Sequence, residues 1–191
     1  GGMSDLLRGM KAMAVHSKLL NVDLLAADET LMALDISAAG SGAADPMALA
    51  NWLKDREDEY DHVLIDCPPS FTAASVAAFV CCDEVILPTR VDAFSRAGAL
   101  ELIGQIGSLK RYHVEPRFRA LVTMVDGRTR IGGQIVDQLK QDGLDVFKTV
   151  IHNSAVVGES TYARLPLFEY APHSRAARDY EDLMAEVIRD E

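Results

Sequence analysis

The stretch YDHVLIDCPPSF, residues 60–71, decides how the rest of the chain is read. Val63, Leu64 and Ile65 form a run that is apolar on both faces, as in a parallel-sheet strand covered on both sides. The run ends in Asp66. Pro68 and Pro69 then stop the strand and restrict the turn that follows. An acid at the mouth of a hydrophobic strand has two readings: it holds a cation, or it caps the next helix or faces water.

Working outward, apolar runs recur, each followed by helical periodicity. VDLLAA (22–27) reads as a strand and 28–44 as irregular, with SAAGSGAADP as a loop. PMALANWLKDRED (46–58) reads as a helix with Asp45 as its N-cap and proline in its first turn. HVLIDC (62–67) is the next strand, and TAASVAAFV (72–80) is a helix of small side chains. EVILP (84–88) is a strand. Leu102, Ile103, Ile106 and Leu109 share one helical face. RALVTMV (119–125) is a strand, Ile131, Ile135, Val136 and Leu139 mark a helix, and VFKTVI (146–151) is the last strand. In the final helix Ala176, Tyr180, Leu183 and Val187 make an amphipathic stripe, widened by Ala177, Met184 and Ile188. This alternation predicts an α/β, doubly wound parallel sheet with right-handed crossovers, in a single domain over 1–191. Ligands bind beyond the carboxyl ends of such strands, where Asp66, Pro88, Asp126 and His152 fall.

Composition narrows the function. The 191 residues are 49% hydrophobic and 25% charged with a net charge of -10, which disfavours charge-driven binding to nucleic acid or an anionic membrane. The cysteines Cys67, Cys81 and Cys82 form no CxxC pair, which favours reduced thiols packed as small core residues in the cytosol. The longest apolar-leaning run, TAASVAAFVCC, is too short to span a bilayer. The five histidines do not cluster with acids at metal spacing. The chain closes on EDLMAEVIRDE, which is acidic and unlike a basic membrane-surface helix.

Five segments stand in a fixed order: YDHVLIDCPPS, CCDEVILPTRVDAFSRAGALELI, LVTMVDGRTRIGGQIVDQL, VFKTVIHNSAVVGES and PLFEYAPHSRAARDYEDLMAEVI. Together they resemble the ParA/Soj family of partition ATPases, relatives of MinD, over residues 60–188; VDLLAADETLMALD fits the preceding family segment more loosely. The resemblance implies a P-loop NTPase fold of the deviant Walker type. It further implies ATP and Mg²⁺ as ligands, a homodimer that sandwiches the nucleotides, non-specific DNA binding, and a ParB-like centromere-binding partner in the cytoplasm. On this resemblance Asp66 is the Walker B acid, the catalytic carboxylate that orders Mg²⁺ through a water, with Pro68 beside it. Thr123 and Met124 match one adenine-side segment. Ile151 and His152 match the other, where the family usually has Ile-Pro. Asp92, Phe94 and Gly98 match the loop and helix start after the ILP strand.

The chain also departs from the family. A Walker A loop ends in Gly-Lys-Ser/Thr, so that backbone amides cradle the phosphates and the lysine neutralises them. None of the six lysines (Lys11, Lys18, Lys54, Lys110, Lys140, Lys148) follows a glycine, and AGSGAAD (39–45) and RIGGQIV (130–136) read as ordinary loops. The expectation is a family protein lacking its N-terminal strand and phosphate loop and inactive alone, with exposed apolar surface that pairs with another copy or a completing partner. The other reading is a nucleotide-free interaction module that binds a ParB-like protein or a full-length ATPase. Residues 110–130 hold six basic and two acidic residues, so Arg128 and Arg130 are the DNA-contact candidates. Segment 151–160 has no arginine where the family often does, so non-specific DNA binding is not expected.

Overall fold

The computed structural model describes residues 1–19, 21–31, 34, 44–68, 71–108 and 115–189. Most of the expected 37–46 loop, with Pro69, Leu109, Lys110, Arg111 and His113, lies outside them. The chain forms two compact units: Gly1–Asp83 with Gly104–Pro116, and Glu84–Ile103 with Arg117–Glu191.

The first unit carries α1 (Met3–Leu7), the two-residue strands β1 (Val15–His16) and β2 (Asp23–Leu24), α2 (Ala48–Lys54) and α3 (Ala73–Cys81). β1 and β2 pair antiparallel, so the strand expected over 22–27 contracts to a short hairpin arm. The core gathers Leu7, Leu34, Leu49 and Ala77, with Trp52 and Ile65 packed against it. α3 starts on a capping box: Thr72 Oγ1 accepts from the Ser75 N–H at 3.1 Å, and the Thr72 N–H donates to Ser75 Oγ at 3.4 Å. Its buried Ala74, Ala77 and Ala78 let it pack closely. Asp45 does not cap α2, whose N-cap is Met47. Its carboxylate instead accepts the Met47 N–H at 2.9 Å, closing a turn two residues ahead.

The expected strand over 62–67 is not a strand. Residues 62–68 belong to no regular element, and no backbone hydrogen bond joins 63–68 to another described residue. A strand is a property of a pair, and here the apolar pattern has no ladder partner among the described residues. Ile65 reaches the core, whereas Leu64 is 94% exposed.

The second unit holds β3 (Glu84–Arg90), the start of α4 (Ala93–Gly107), β4 (Arg117–Thr123), α5 (Ile131–Gln141), β5 (Asp145–Val146), α6 (Ala155–Ala163), α7 (Leu167–Tyr170) and α8 (Arg175–Arg189). Its sheet runs β3-β4-β5, all parallel. Alternation along β4 sends its residues to two faces. Ala120 and Val122 pack with Ile135 and Leu139 of α5. Leu121, with Phe147 and Ile151, packs with Tyr180, Leu183 and Val187 of α8. Helices thus cover both faces of a parallel sheet, as the alternation of elements predicted. The ladder of the last strand is shorter than expected: after Val146 the chain stays alongside β4 through Phe147 N–H to Ala120 O (3.0 Å) and Ile151 N–H to Val122 O (2.9 Å).

RIGGQIV opens α5, as the spacing of Ile131, Ile135 and Val136 predicts and against the loop reading of its glycines, and its two glycines differ. A Cβ on Gly132 would stand 2.9 Å from Val125 Cγ1, a stiff buried side chain; a Cβ on Gly133 would meet nothing within 4 Å. Gly133→Ala is therefore expected to stabilise the protein by about 0.5–1 kcal/mol through helix propensity. Gly132→Ala is expected to destabilise it by about 1–3 kcal/mol through overpacking. Urea unfolding of the two variants checks the contrast.

Candidate functional site

The carboxyl end of β4 brings two of the sequence-assigned segments together. Thr123 closes the strand, half-buried, and Met124 follows in the left-handed region at φ 58° with its side chain half exposed. A non-glycine residue there costs roughly 1 kcal/mol or more and persists only when its surroundings impose it. Here the Val125 N–H donates to Ile151 O at 3.1 Å and the Asn153 N–H to Val125 O at 3.0 Å, and Val125 and His152 form a parallel bridge. Thr123 and Met124 are thereby adjacent to Ile151 and His152.

The chain then turns at Asp126. Its carboxylate accepts the Arg128 backbone N–H (3.0 Å), Nε (3.0 Å) and Nη2 (2.9 Å). The Arg128 guanidinium holds the Asp126 carboxyl down at about 2. Arg128 is exposed but already committed to this acid; Arg130, also exposed, precedes α5.

His152 is fixed on three sides. Its N–H donates to Asp179 Oδ2 at 2.9 Å, a bond that proline at this position could not make. The ring Nδ1 lies 3.0 Å from the same oxygen, and Nε2 lies 2.6 Å from Arg175 Nη2. A guanidinium only donates, so Nε2 must accept and the proton sits on Nδ1, facing Asp179. Arg175 lies over Gly127, where a Cβ would come within 3.2 Å of Nη1. One turn of α8 presents Arg175 and Asp179, but both stand more than 20 residues from His152, so no spacing in the sequence signals the trio. Two turns further along α8, Glu186 accepts the N–H groups of Lys148 (2.7 Å) and Thr149 (2.9 Å). Burial opposes its charge, yet these backbone donors hold the Glu186 carboxyl below its ordinary range. Between segment 148–152 and α8 lies an open groove of about 480 Å³ with Lys148, Asp182, Glu186 and Arg189 on its walls.

Among the described residues of the basic window, Arg117, Arg119 and Arg128 are paired with acids of the unit. Arg119 is 2% exposed, and its guanidinium stacks 3.7 Å above the Phe147 ring. It pairs with Glu84 of β3 (3.5 Å), Asp145 of β5 (3.7 Å) and Glu186 of α8 (3.4 Å). Arg117 Nη2 donates to Asp145 at 2.6 Å. Asp92 starts α4 by accepting the Ser95 N–H at 2.7 Å, which holds its carboxyl below the usual range. Phe94 is 89% exposed and Gly98 faces open space.

Asp66 and Pro68 lie in the first unit, both exposed. The Asp66 carboxylate is exposed and makes no hydrogen bond to a described residue, and a hydrated hard cation needs few protein ligands. Among the described residues no group of three His, Cys, Asp or Glu could hold a metal by itself. Cys67 is exposed rather than packed as a core residue, and Cys81 and Cys82 are half-buried. Burial pushes the Cys81 thiol up to about 12 and Cys82 to about 11, leaving both protonated and poorly nucleophilic.

A parallel sheet sandwiched between helices, with Thr123, Met124, Ile151 and His152 at one end of its strands, defines the class: a doubly wound α/β fold of the kind that binds ligands beyond its strand ends. Residues 6–119 match the AAA domain family. The chain is 30% identical over 191 residues to the chromosome-partitioning ATPase Soj of Thermus thermophilus, covering 98% of this chain and 74% of that protein. It is 28% identical over 188 residues to the sporulation initiation inhibitor protein Soj of Bacillus subtilis (96% and 72%). It spans 55% of the length of an uncharacterized Mycobacterium tuberculosis protein at 32% identity. Among solved structures, apo McdA from Cyanthece superposes with a TM-score of 0.82 at 17% identity, over 97% of this chain and 77% of that one. The cell division ATPase MinD of Pyrococcus furiosus superposes at 0.71 and 19%. The chain belongs to the ParA/Soj family of P-loop ATPases.

Two outcomes follow from this geometry. Arg119→Ala removes the buried cation shared by Glu84, Asp145 and Glu186 together with its stacking on Phe147, and is expected to cost about 3–5 kcal/mol in urea unfolding. A depressed carboxyl stabilises the fold above its unfolded value near 3.8 and loses that contribution as pH falls toward about 2. NMR titration should therefore find Asp126 midway near 2 in the native chain and closer to 3.8 in Arg128→Ala.

Proposed function

We propose that this chain carries the base-side and metal-side parts of an ATP-dependent partition or positioning protein, and that the main phosphate cradle is not among its 191 residues. The observation that supports this is the hydrogen-bonded adjacency of Thr123–Met124 and Ile151–His152 at the carboxyl end of a parallel strand. In this reading those residues flank the nucleotide base. Asp66, with Pro68 beside it, holds Mg²⁺ through a water, and the ion when bound neutralises charge on the β- and γ-phosphates. His152, clamped by Asp179 and Arg175, is a rigid wall, since both ring nitrogens are engaged.

No lysine follows a glycine in the chain, so a phosphate group would lack the signature cation of the family. We therefore assign ATP hydrolysis to a longer or completed protein, acting as a nucleotide-bound dimer with a ParB-like partner in the cytoplasm. Among the described residues no helix is long and apolar enough to cross a membrane. Tight non-specific DNA binding is not part of the proposal: Arg128 is neutralised by Asp126, and Arg117 and Arg119 are held by acids of the second unit. A second reading, an interaction module for a ParB-like protein or a full-length ATPase, draws on the unladdered 62–68 segment with its exposed Leu64.

The 191-residue protein is expected to release no phosphate from Mg-ATP. Release that Asp66→Ala abolishes would overturn the proposal. A Gly-Lys-Ser/Thr loop encoded in frame upstream of Gly1 is the outcome expected for the ATPase reading, and an in-frame stop codon there favours the interaction module. In a gel shift with long duplex DNA at low salt no tight complex is expected; one that Arg130→Ala weakens would refute the electrostatic argument.

A further inference from the structure

Arg175 is a cation without an acid. Its guanidinium stands on the first turn of α8 and is exposed. Among the described residues no carboxylate pairs with it; Nη2 instead donates to His152 Nε2, 2.6 Å away. The imidazole accepts there only while it is neutral, because Nδ1 already carries a proton toward Asp179 Oδ2. A second ring proton, taken up from water on Nε2, acts oppositely on the two neighbours. It turns the His152–Asp179 contact into an ion pair, and it leaves Arg175 facing another cation with no lone pair to bind.

The charged groups around the pair do not compensate Arg175. On α8 the buried Asp179 is occupied by the His152 ring and backbone N–H, and Glu186 by the N–H groups of Lys148 and Thr149. On the turn after β4, Asp126 is held by Arg128, and Gly127, beneath Arg175, offers no side chain. Along the groove that His152 lines, Lys148 and Arg189 offset the remaining acid, Asp182. The neutral imidazole is therefore what fixes the guanidinium. A proline at this position, usual in the family, could hold neither Asp179 nor Arg175.

We propose that His152 is a proton-operated latch on Arg175: neutral, it holds the guanidinium across Gly127; protonated, it keeps Asp179 and lets Arg175 go. Imidazole is the side chain whose charge ordinarily changes between about pH 5 and about pH 8. Release costs the unit one hydrogen bond and gives the strand ends a free cation. By linkage, a proton on His152 and an anion drawn to Arg175 favour each other. The latch does not rest on the nucleotide reading, and its test uses no nucleotide.

The experiment is a heteronuclear NMR titration of the full 191-residue protein from about pH 8 to about pH 5, reading the His152 ring nitrogens and the Arg175 Nε–H. The ring is expected to show the Nδ1–H tautomer at the start. As it gains its second proton, the Arg175 signal should shift and exchange faster with water, at the same midpoint. A glutamine amide donates and accepts at every pH, so in His152→Gln the Arg175 signal is expected to stay flat. Arg175→Gln alters an exposed side chain and removes the opposing cation, so there His152 should gain its proton at higher pH. The proposal is overturned by an Nε2–H tautomer at the start, by an imidazole still neutral at the acid end, or by an Arg175 signal that stays fixed while His152 charges. Arg175 movement that persists in His152→Gln, or a midpoint unmoved in Arg175→Gln, would equally overturn it.

Discussion

The second unit depends on one buried cation. Arg119 sits on the middle strand of a three-stranded sheet, 2% exposed, and contacts an acid from each neighbouring strand and one from the covering helix. A lone guanidinium in such a place is very costly, because its hydration is lost. Glu84, Asp145 and Glu186 repay that loss only if β3, β5 and α8 all stand at the right height. The aromatic face of Phe147 adds a fourth constraint. Arg119 therefore fixes the register of the sheet and the seat of α8 together, and the strand ends that follow inherit their positions from it.

From that seat α8 governs the loops. Glu186 and Asp179 lie two turns apart and accept backbone N–H groups of Lys148, Thr149 and His152. These donors lie past the two-residue ladder of β5, and carboxylates satisfy them in place of another strand. The same helix delivers Arg175 to His152, so one element fixes both ends of segment 148–152.

Much of this architecture was legible in the sequence. EVILP and RALVTMV became adjacent parallel strands, Ile135 and Leu139 faced one side of the sheet, and Leu183 and Val187 faced the other. Periodicity reports burial, and there burial and pairing coincide. They part company at HVLIDC, where the apolar pattern is that of a strand but no ladder joins it to another described residue, because pairing depends on a neighbour that composition cannot reveal. The basic window misled in another way: sequence counts charges but not their partners, and Arg117, Arg119 and Arg128 each face acids. The His152–Asp179–Arg175 contact left no trace in spacing, since the fold alone brings residues so far apart together. For the candidate site, adjacency of the segments Thr123–Met124 and Ile151–His152 followed from strand order, whereas the clamp on His152 did not.

The central claim is that this chain holds the strand-end residues of a nucleotide site without the cradle that binds phosphate. Calorimetric titration of the 191-residue protein with Mg-ATP and Mg-ADP tests it most directly. The account predicts no saturable heat with either nucleotide. Micromolar binding that Asp66→Ala weakens would contradict it, and would mean that groups other than a glycine-lysine loop hold the phosphates.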